Sequence, residues 1–182
     1  MKKLLLSAAI AVLGLTSVNA QTEKGKILIE ANTGNAVSFL GQGAGGIAST
    51  GLYFTSTEDF SSFNLGLDGG YFIMDDLAIK AGLGFGSIKV GDADGISTFS
   101  YRLGAKYYVN SMIPVTLDLT GASGEDAFGD ETPLWLGLGA GYAWFIGEKV
   151  SIEPGLRYNL SLNEDFTDQG ILQFNVGFAL YF

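Results

Sequence analysis

The last twelve residues, Ile171 to Phe182 (ILQFNVGFALYF), restrict what this chain can become more than any other stretch. Leu172, Phe174, Val176, Phe178, Leu180 and Phe182 are large and apolar. Ile171, Gln173, Asn175, Gly177, Ala179 and Tyr181 are mostly small or polar. A strict period of two is a β-strand with one greasy face and one mixed face. The run exceeds an ordinary globular strand and has the length a tilted strand needs to cross a bilayer. A soluble domain would usually end in polar, frayed residues rather than on Phe182.

The same period recurs upstream. Lys26–Thr33 places Ile27, Ile29 and Ala31 on one face, and Ser62–Ile73 groups Phe63, Leu65, Leu67 and Tyr71. Leu77–Ser87, Phe99–Val109, Ile113–Thr120, Leu134–Ile146 and Val150–Leu162 alternate in the same way, which with the terminal segment predicts eight strands. Met74–Asp76, Asn110–Met112 and Gly147–Lys149 are tight turns between them. Gly34–Ser61, Ile88–Thr98, Gly121–Pro133 and Asn163–Gly170 are longer. Short and long connections in alternation indicate an all-β, eight-stranded antiparallel up-and-down transmembrane barrel with tight periplasmic turns and long outer loops. The first long loop has room for a hairpin of Val37–Leu40 with Leu52–Thr55, which makes ten strands the alternative count.

Alternation leaves open which face points inward, since a lipocalin-like soluble barrel would enclose the bulky set. Volume decides. Eight strands enclose room for packed side chains or one small ligand, and the bulky set would overfill it. The Gly-rich set fits, so the apolar face points outward, where only a bilayer tolerates it. Tyr71, Tyr107, Trp144 and Phe182 then fall near the tight-turn level and Phe63, Phe85, Phe99 and Phe174 near the other, as two aromatic girdles.

Composition narrows function by exclusion. The chain contains no His and no Cys, which removes His-based triads, the usual zinc enzymes, thiolate sites and disulfides. Lys2 and Lys3, an apolar run from Leu4 to Leu15 and Val18-Asn19-Ala20 form a secretory signal, with cleavage expected after Ala20. Residues 1–20 are thus a signal peptide and 21–182 one barrel domain. Residues 21–182 carry eight basic and nineteen acidic residues, a balance poorly suited to nucleic acid.

The signal, the eight amphipathic segments, the alternating loops and the terminal Phe182 together resemble small bacterial outer-membrane β-barrels of the OmpX/OmpA transmembrane type. Leu65–Gly86 (LGLDGGYFIMDDLAIKAGLGFG) resembles a hairpin of the broader outer-membrane protein β-barrel family. The resemblance implies a cell outer-membrane location and makes Phe182, Leu180 and Phe178 the signal read by the barrel-assembly machinery. It leaves the role open, because the family includes adhesins, structural proteins and others.

Four acids, Glu30, Asp68, Asp118 and Glu153, and four bases, Lys80, Arg102, Lys106 and Arg157, fall on the inward face. Buried charges must be paired, so they are expected to form one neutral network plugging the lumen, with Asn64, Asn159, Gln173 and Asn175 filling remaining hydrogen bonds. Asp68 should face Lys80, and Arg102 and Lys106 should face Asp118. The competing functional reading is a gated path for ions or protons. Gly41–Gly46 matches G-x-G-x-x-G without the strand-to-helix context that dinucleotide binding requires. Gly82, Gly84, Gly86, Gly137, Gly139 and Gly141 are expected to make room for inward Trp135, Phe72 and Tyr108. Asp92-Ala93-Asp94-Gly95 begins like a calcium loop but lacks the later ligands. The acidic outer loops read as a solvated rim, with weak divalent-ion bridging to anionic lipid as the alternative. The sequence therefore predicts a non-enzymatic barrel without cofactor, structural or surface-interactive through its outer loops and embedded in outer-membrane lipid. A passive porin-like channel for small or apolar solutes is the alternative. A lipid-modifying barrel enzyme is a third class, disfavoured because a nucleophile would lack its His base.

Overall fold

The computed structural model describes residues 21–33, 38–40, 50–91, 93–129 and 132–182. The signal segment, the Gly41–Gly46 motif and Asp92 lie outside the described residues. Among the described residues one antiparallel sheet closes on itself into an eight-stranded barrel. Its wall runs β1 (Ile27–Asn32), β4 (Phe60–Met74), β5 (Leu77–Val90), β6 (Ile96–Val109), β7 (Ile113–Ser123), β8 (Leu134–Gly141) with β9 (Trp144–Gly147), β10 (Val150–Ser161) and β11 (Ile171–Tyr181). The terminal segment closes the barrel: Leu28 pairs with Tyr181 and Asn32 with Gly177. Ile27 and Phe182 exchange two backbone hydrogen bonds of 2.9 Å beneath them.

Alternation fixes the faces as volume argued. Leu65, Leu83, Leu103, Leu117, Leu138 and Leu156 are exposed on the outside, while Asp68, Lys80, Arg102, Lys106 and Asn159 are buried within. Tyr71 and Phe63, Tyr107 and Phe99, and Phe182 and Phe174 are each eight residues apart. At about 3.3 Å per residue and a tilt near 40°, that spans roughly 20 Å, close to the apolar band of a membrane barrel. Turns set the register at the tight-turn end. Asn110 and Ser111 both have positive φ, 51° and 56°, as a two-residue turn between twisted strands requires.

The strand bounds differ from the sequence reading at several strands, β7 among them, which runs to Ser123 rather than Thr120. Leu134–Ile146 is interrupted at Tyr142–Ala143, where the amides turn to Pro154 and Met112 carbonyls, although the inward–outward alternation continues through the break. Strands β4, β5 and β6 run beyond the girdle of Phe63, Phe85 and Phe99, because their pairing continues to Phe60–Val90 and Ile88–Ile96.

Among the described residues the expected first-loop hairpin does not form, because its two segments pair with different wall strands and not with each other. Strand β2 (Ser38–Leu40) pairs with β11, and β3 (Tyr53–Ser56) pairs with β4. Neither crosses the apolar band, so the count of transmembrane strands is eight. Before β3 the chain dips into the lumen. Thr50 and Gly51 are buried, and Asn64 donates its side-chain amide to the Gly51 carbonyl. Gly66 permits this approach, since a Cβ there would overlap the Thr50 backbone.

Candidate functional site: a chain of charges across the lumen

All eight inward charges lie in one alternating sequence of ion pairs. It starts at Glu153 on β10, whose Oε2 is 2.5 Å from Lys106 Nζ on β6. Lys106 lies 2.5 Å from Glu30 on β1, and Glu30 lies 3.1 Å from Lys80 on β5. Lys80 is 3.1 Å from Asp68 on β4, which accepts from Arg102 of β6 at 3.0 Å. Arg102 is 3.5 Å from Asp118 on β7, and Asp118 accepts two hydrogen bonds from Arg157, at 2.6 and 2.5 Å. Arg157 returns the chain to β10. Four negative and four positive groups thus alternate, so every interior member sits between two opposite charges, which buried ions require.

The juxtaposition of Asp68 with Lys80, and of Arg102 with Asp118, follows strand neighbours. Lys106 departs from expectation. It faces Glu30 and Glu153 instead of Asp118, because Asp118 stands opposite Gly104, one inward position nearer the long-loop end. A lysine stem then reaches the opposite wall, which the narrow eight-stranded lumen brings within range. Counting along neighbouring strands alone could not have found that contact.

Uncharged groups complete the network. Tyr108, Tyr181 and Ser151 donate to Glu153 Oε1 at 3.0, 2.8 and 2.7 Å. Asn159 accepts from Arg157 Nε at 2.7 Å and donates to Gln173 at 2.7 Å. Asn64 serves the first-loop segment, and Asn175 lines the remaining space. That space is a cavity of about 70 Å³ among Glu30, Lys80, Lys106, Asp118, Glu153 and Arg157, room for a few water molecules.

The glycines correct another expectation. Gly82 and Gly137 accommodate the charged network, and none of Gly82, Gly86, Gly137, Gly139 and Gly141 abuts an inward aromatic ring. A Cβ at Gly82 would strike Asp68, at Gly104 Asp118, at Gly137 Arg157 and at Gly139 Thr116. Gly82, Gly104 and Gly137 thus stand where a charged side chain of the neighbouring strand lies against the wall. At Gly86 the neighbours are Asn64 and Thr98, and at Gly141 the Pro154 backbone.

Apolar clusters flank the network towards both ends. At the tight-turn end Leu28, Phe72, Ala78, Tyr108, Ala143, Ala179 and Tyr181 form a buried cluster, with Phe72 and Tyr108 ring centroids 6.1 Å apart. Below it the first described residues cross the barrel mouth: Gln21 donates to the Gly147 carbonyl and Thr22 to Asp76, at 2.9 and 2.5 Å. At the long-loop end Trp135 and Ile171 pack with Phe166, and Phe166 meets Phe128 of the short helix α1 (Glu125–Phe128) edge-on at 5.7 Å. The Gln21–Thr22 closure, the Thr50 segment and the Phe128–Phe166 contact were not anticipated. None has a periodic signature, and each depends on where a loop returns.

No family model matches this chain, and no curated protein matches it. Among solved structures it is similar to the Yersinia pestis outer-membrane protein Ail in a phospholipid bilayer nanodisc. The two share 15% identity and a TM-score of 0.53 over 87% of this chain and 100% of that one. It is also similar to the N-terminal β-barrel domain of Pseudomonas aeruginosa OprF, at 16% identity and a TM-score of 0.50 over 87% and 98%. At such identities the likeness is one of architecture, and the architecture is that of the small bacterial outer-membrane β-barrels.

Proposed function

We infer that this chain is an integral outer-membrane β-barrel that does not conduct solutes, whose role is structural or surface-interactive and is carried by its outer loops. The observation that carries this reading is the unbroken alternation Glu153–Lys106–Glu30–Lys80–Asp68–Arg102–Asp118–Arg157 across a lumen already narrow at eight strands. A neutral, mutually paired set offers no surplus field to select an ion. The apolar clusters around Phe72 and Tyr108 on one side of the network and around Trp135 and Phe166 on the other support the same reading.

In this reading the exported chain sheds residues 1–20, and the barrel-assembly machinery reads Phe178, Leu180 and Phe182 on the closing strand. The exposed apolar band contacts outer-membrane lipid, and the long acidic loops face outward, unsuited to nucleic acid. No catalytic group is needed, and the absence of His from the chain leaves a nucleophile without its usual base. The test is electrical. Purified protein inserted into planar bilayers should give no steady conductance. Well-resolved channels would overturn the closed lumen and favour a passive pore.

A further inference from the structure

The four segments read from the sequence as long connections, Gly34–Ser61, Ile88–Thr98, Gly121–Pro133 and Asn163–Gly170, hold eleven acids and a single base, Lys89, which falls at the end of β5. That end of the barrel is also where β4, β5 and β6 project past the aromatic girdle. Phe60 stands three residues beyond Phe63, Val90 five beyond Phe85, and Ile96 three beyond Phe99. In this projecting sheet Phe60 pairs with Val90, and Ile88 pairs with both Ser62 and Ile96. The uninterrupted register puts Phe60, Ile88, Val90 and Ile96 on the face that lower down lines the lumen. They therefore face the barrel axis and not the lipid.

Three of the four are nonetheless open, and Ile88 between them is half-buried. Phe60 is 38%, Val90 60% and Ile96 39% exposed. An apolar patch beyond the membrane band that is turned away from lipid has no solvent but water, and such patches mark binding surfaces. Its surroundings are charged with one sign. Glu58 and Asp59 precede Phe60, and Asp94 lies in the adjoining β5–β6 turn; all three are exposed. Gly91 N–H donates to the Asp59 carbonyl at 2.7 Å, which ties the two acidic turns together beside the patch. Lys89 has the opposite alternation and points to the other face.

We propose that the Phe60–Ile88–Val90–Ile96 face and its acidic rim dock a cationic amphipathic peptide segment. Charge complementarity selects that occupant: apolar side chains cover the patch, and lysines or arginines meet Glu58, Asp59 and Asp94. The surplus negative charge of the loops steers the approach and makes binding weaken with salt. This deepens the surface-interactive reading above and rests on it for the outward orientation of the loops.

The test uses the full barrel in zwitterionic phosphatidylcholine nanodiscs and a synthetic peptide of alternating leucine and lysine, with empty discs as the baseline. The peptide should bind barrel-loaded discs about tenfold or more tighter than empty ones, and salt should weaken it. A double variant, Val90→Ser with Ile96→Ser, should lose most of that gain while keeping the wild-type unfolding midpoint. Glu58→Gln with Asp59→Asn and Asp94→Asn should flatten the salt dependence. Equal binding to empty discs, equal binding of a lysine–serine peptide, or unchanged binding by the Val90/Ile96 variant would each overturn the proposal. Conductance recordings are independent of all these outcomes, so failure here and failure of the closed-lumen reading are told apart.

Discussion

Lys106 is the member of the charge chain whose loss should cost most, and the reason is its position. Its ammonium is 2.5 Å from both Glu30 and Glu153. Lys106→Met keeps the stem volume and removes the charge. Glu30 then still has Lys80 at 3.1 Å, whereas Glu153 retains hydroxyl donors but no cation among the described residues. A buried charge stripped of its partner costs about 3–5 kcal/mol. Lys80→Met should be milder. Glu30 keeps Lys106, Asp68 keeps Arg102 at 3.0 Å, and the loss is nearer the 1.5–3 kcal/mol (approximately) of one hydrogen bond to a charged group. By the same logic Asp118→Asn isolates Arg157 and should exceed Asp68→Asn. Lys106→Met combined with Glu153→Gln removes both the cation and the orphaned acid, and should recover much of the single-variant loss. Equilibrium urea unfolding of the micelle-embedded barrel, followed by fluorescence of Trp135 and Trp144, gives these differences. If Lys80→Met costs as much as Lys106→Met, or the double variant simply adds its two costs, then position in the chain does not govern stability and the reasoning fails.

Two further outcomes follow from the faces and the closure. Leu138→Arg places a charge against lipid near the midplane and should cost about 2–4 kcal/mol, while Gly139→Arg should fail by crowding Thr116 inside; equal tolerance in the same titration would reverse the inside–outside assignment. Deleting Phe182 removes its two hydrogen bonds to Ile27 and the aromatic end of the closing strand, and should leave protein in the periplasm; normal yield in outer-membrane fractions would reject its part in assembly.

The barrel was legible because period two survives every local irregularity. Even the broken ladder at Tyr142–Ala143 keeps Tyr142 and Trp144 outside and Ala143 inside. The inward charges were legible for the same reason. What could not be read was how far a side chain reaches. Lys106 spans the lumen, so its partners on β1 and β10 have no fixed sequence offset. Glycine was misread through the same gap. Gly82 and Gly137 looked like space for bulky rings, yet the neighbours a Cβ would hit are Asp68 and Arg157. Loop returns such as Thr50 over Gly66 leave no trace in periodicity, because a single close approach needs only one glycine in the wall.

Paired and unpaired charge are divided along the barrel axis. Residues 21–182 carry an excess of eleven acids, yet the lumen holds four of each sign and is neutral. Burial enforces that neutrality, since any uncompensated charge would have to be desolvated without a partner. The tight-turn end, with Glu23, Asp75, Asp76 and Glu148 against Lys24, Lys26 and Lys149, is nearly balanced as well. Almost the whole surplus therefore sits in the long loops, where the carboxylates of Glu58, Asp59, Asp94, Glu164, Asp165 and Asp168 are exposed to water and the fold imposes no such rule. Folding does not require that surplus, and three of its acids, Glu58, Asp59 and Asp94, adjoin the projecting Phe60–Val90 face, so neutralising those three should leave the unfolding midpoint unchanged while any one-sided loss among the lumen charges lowers it.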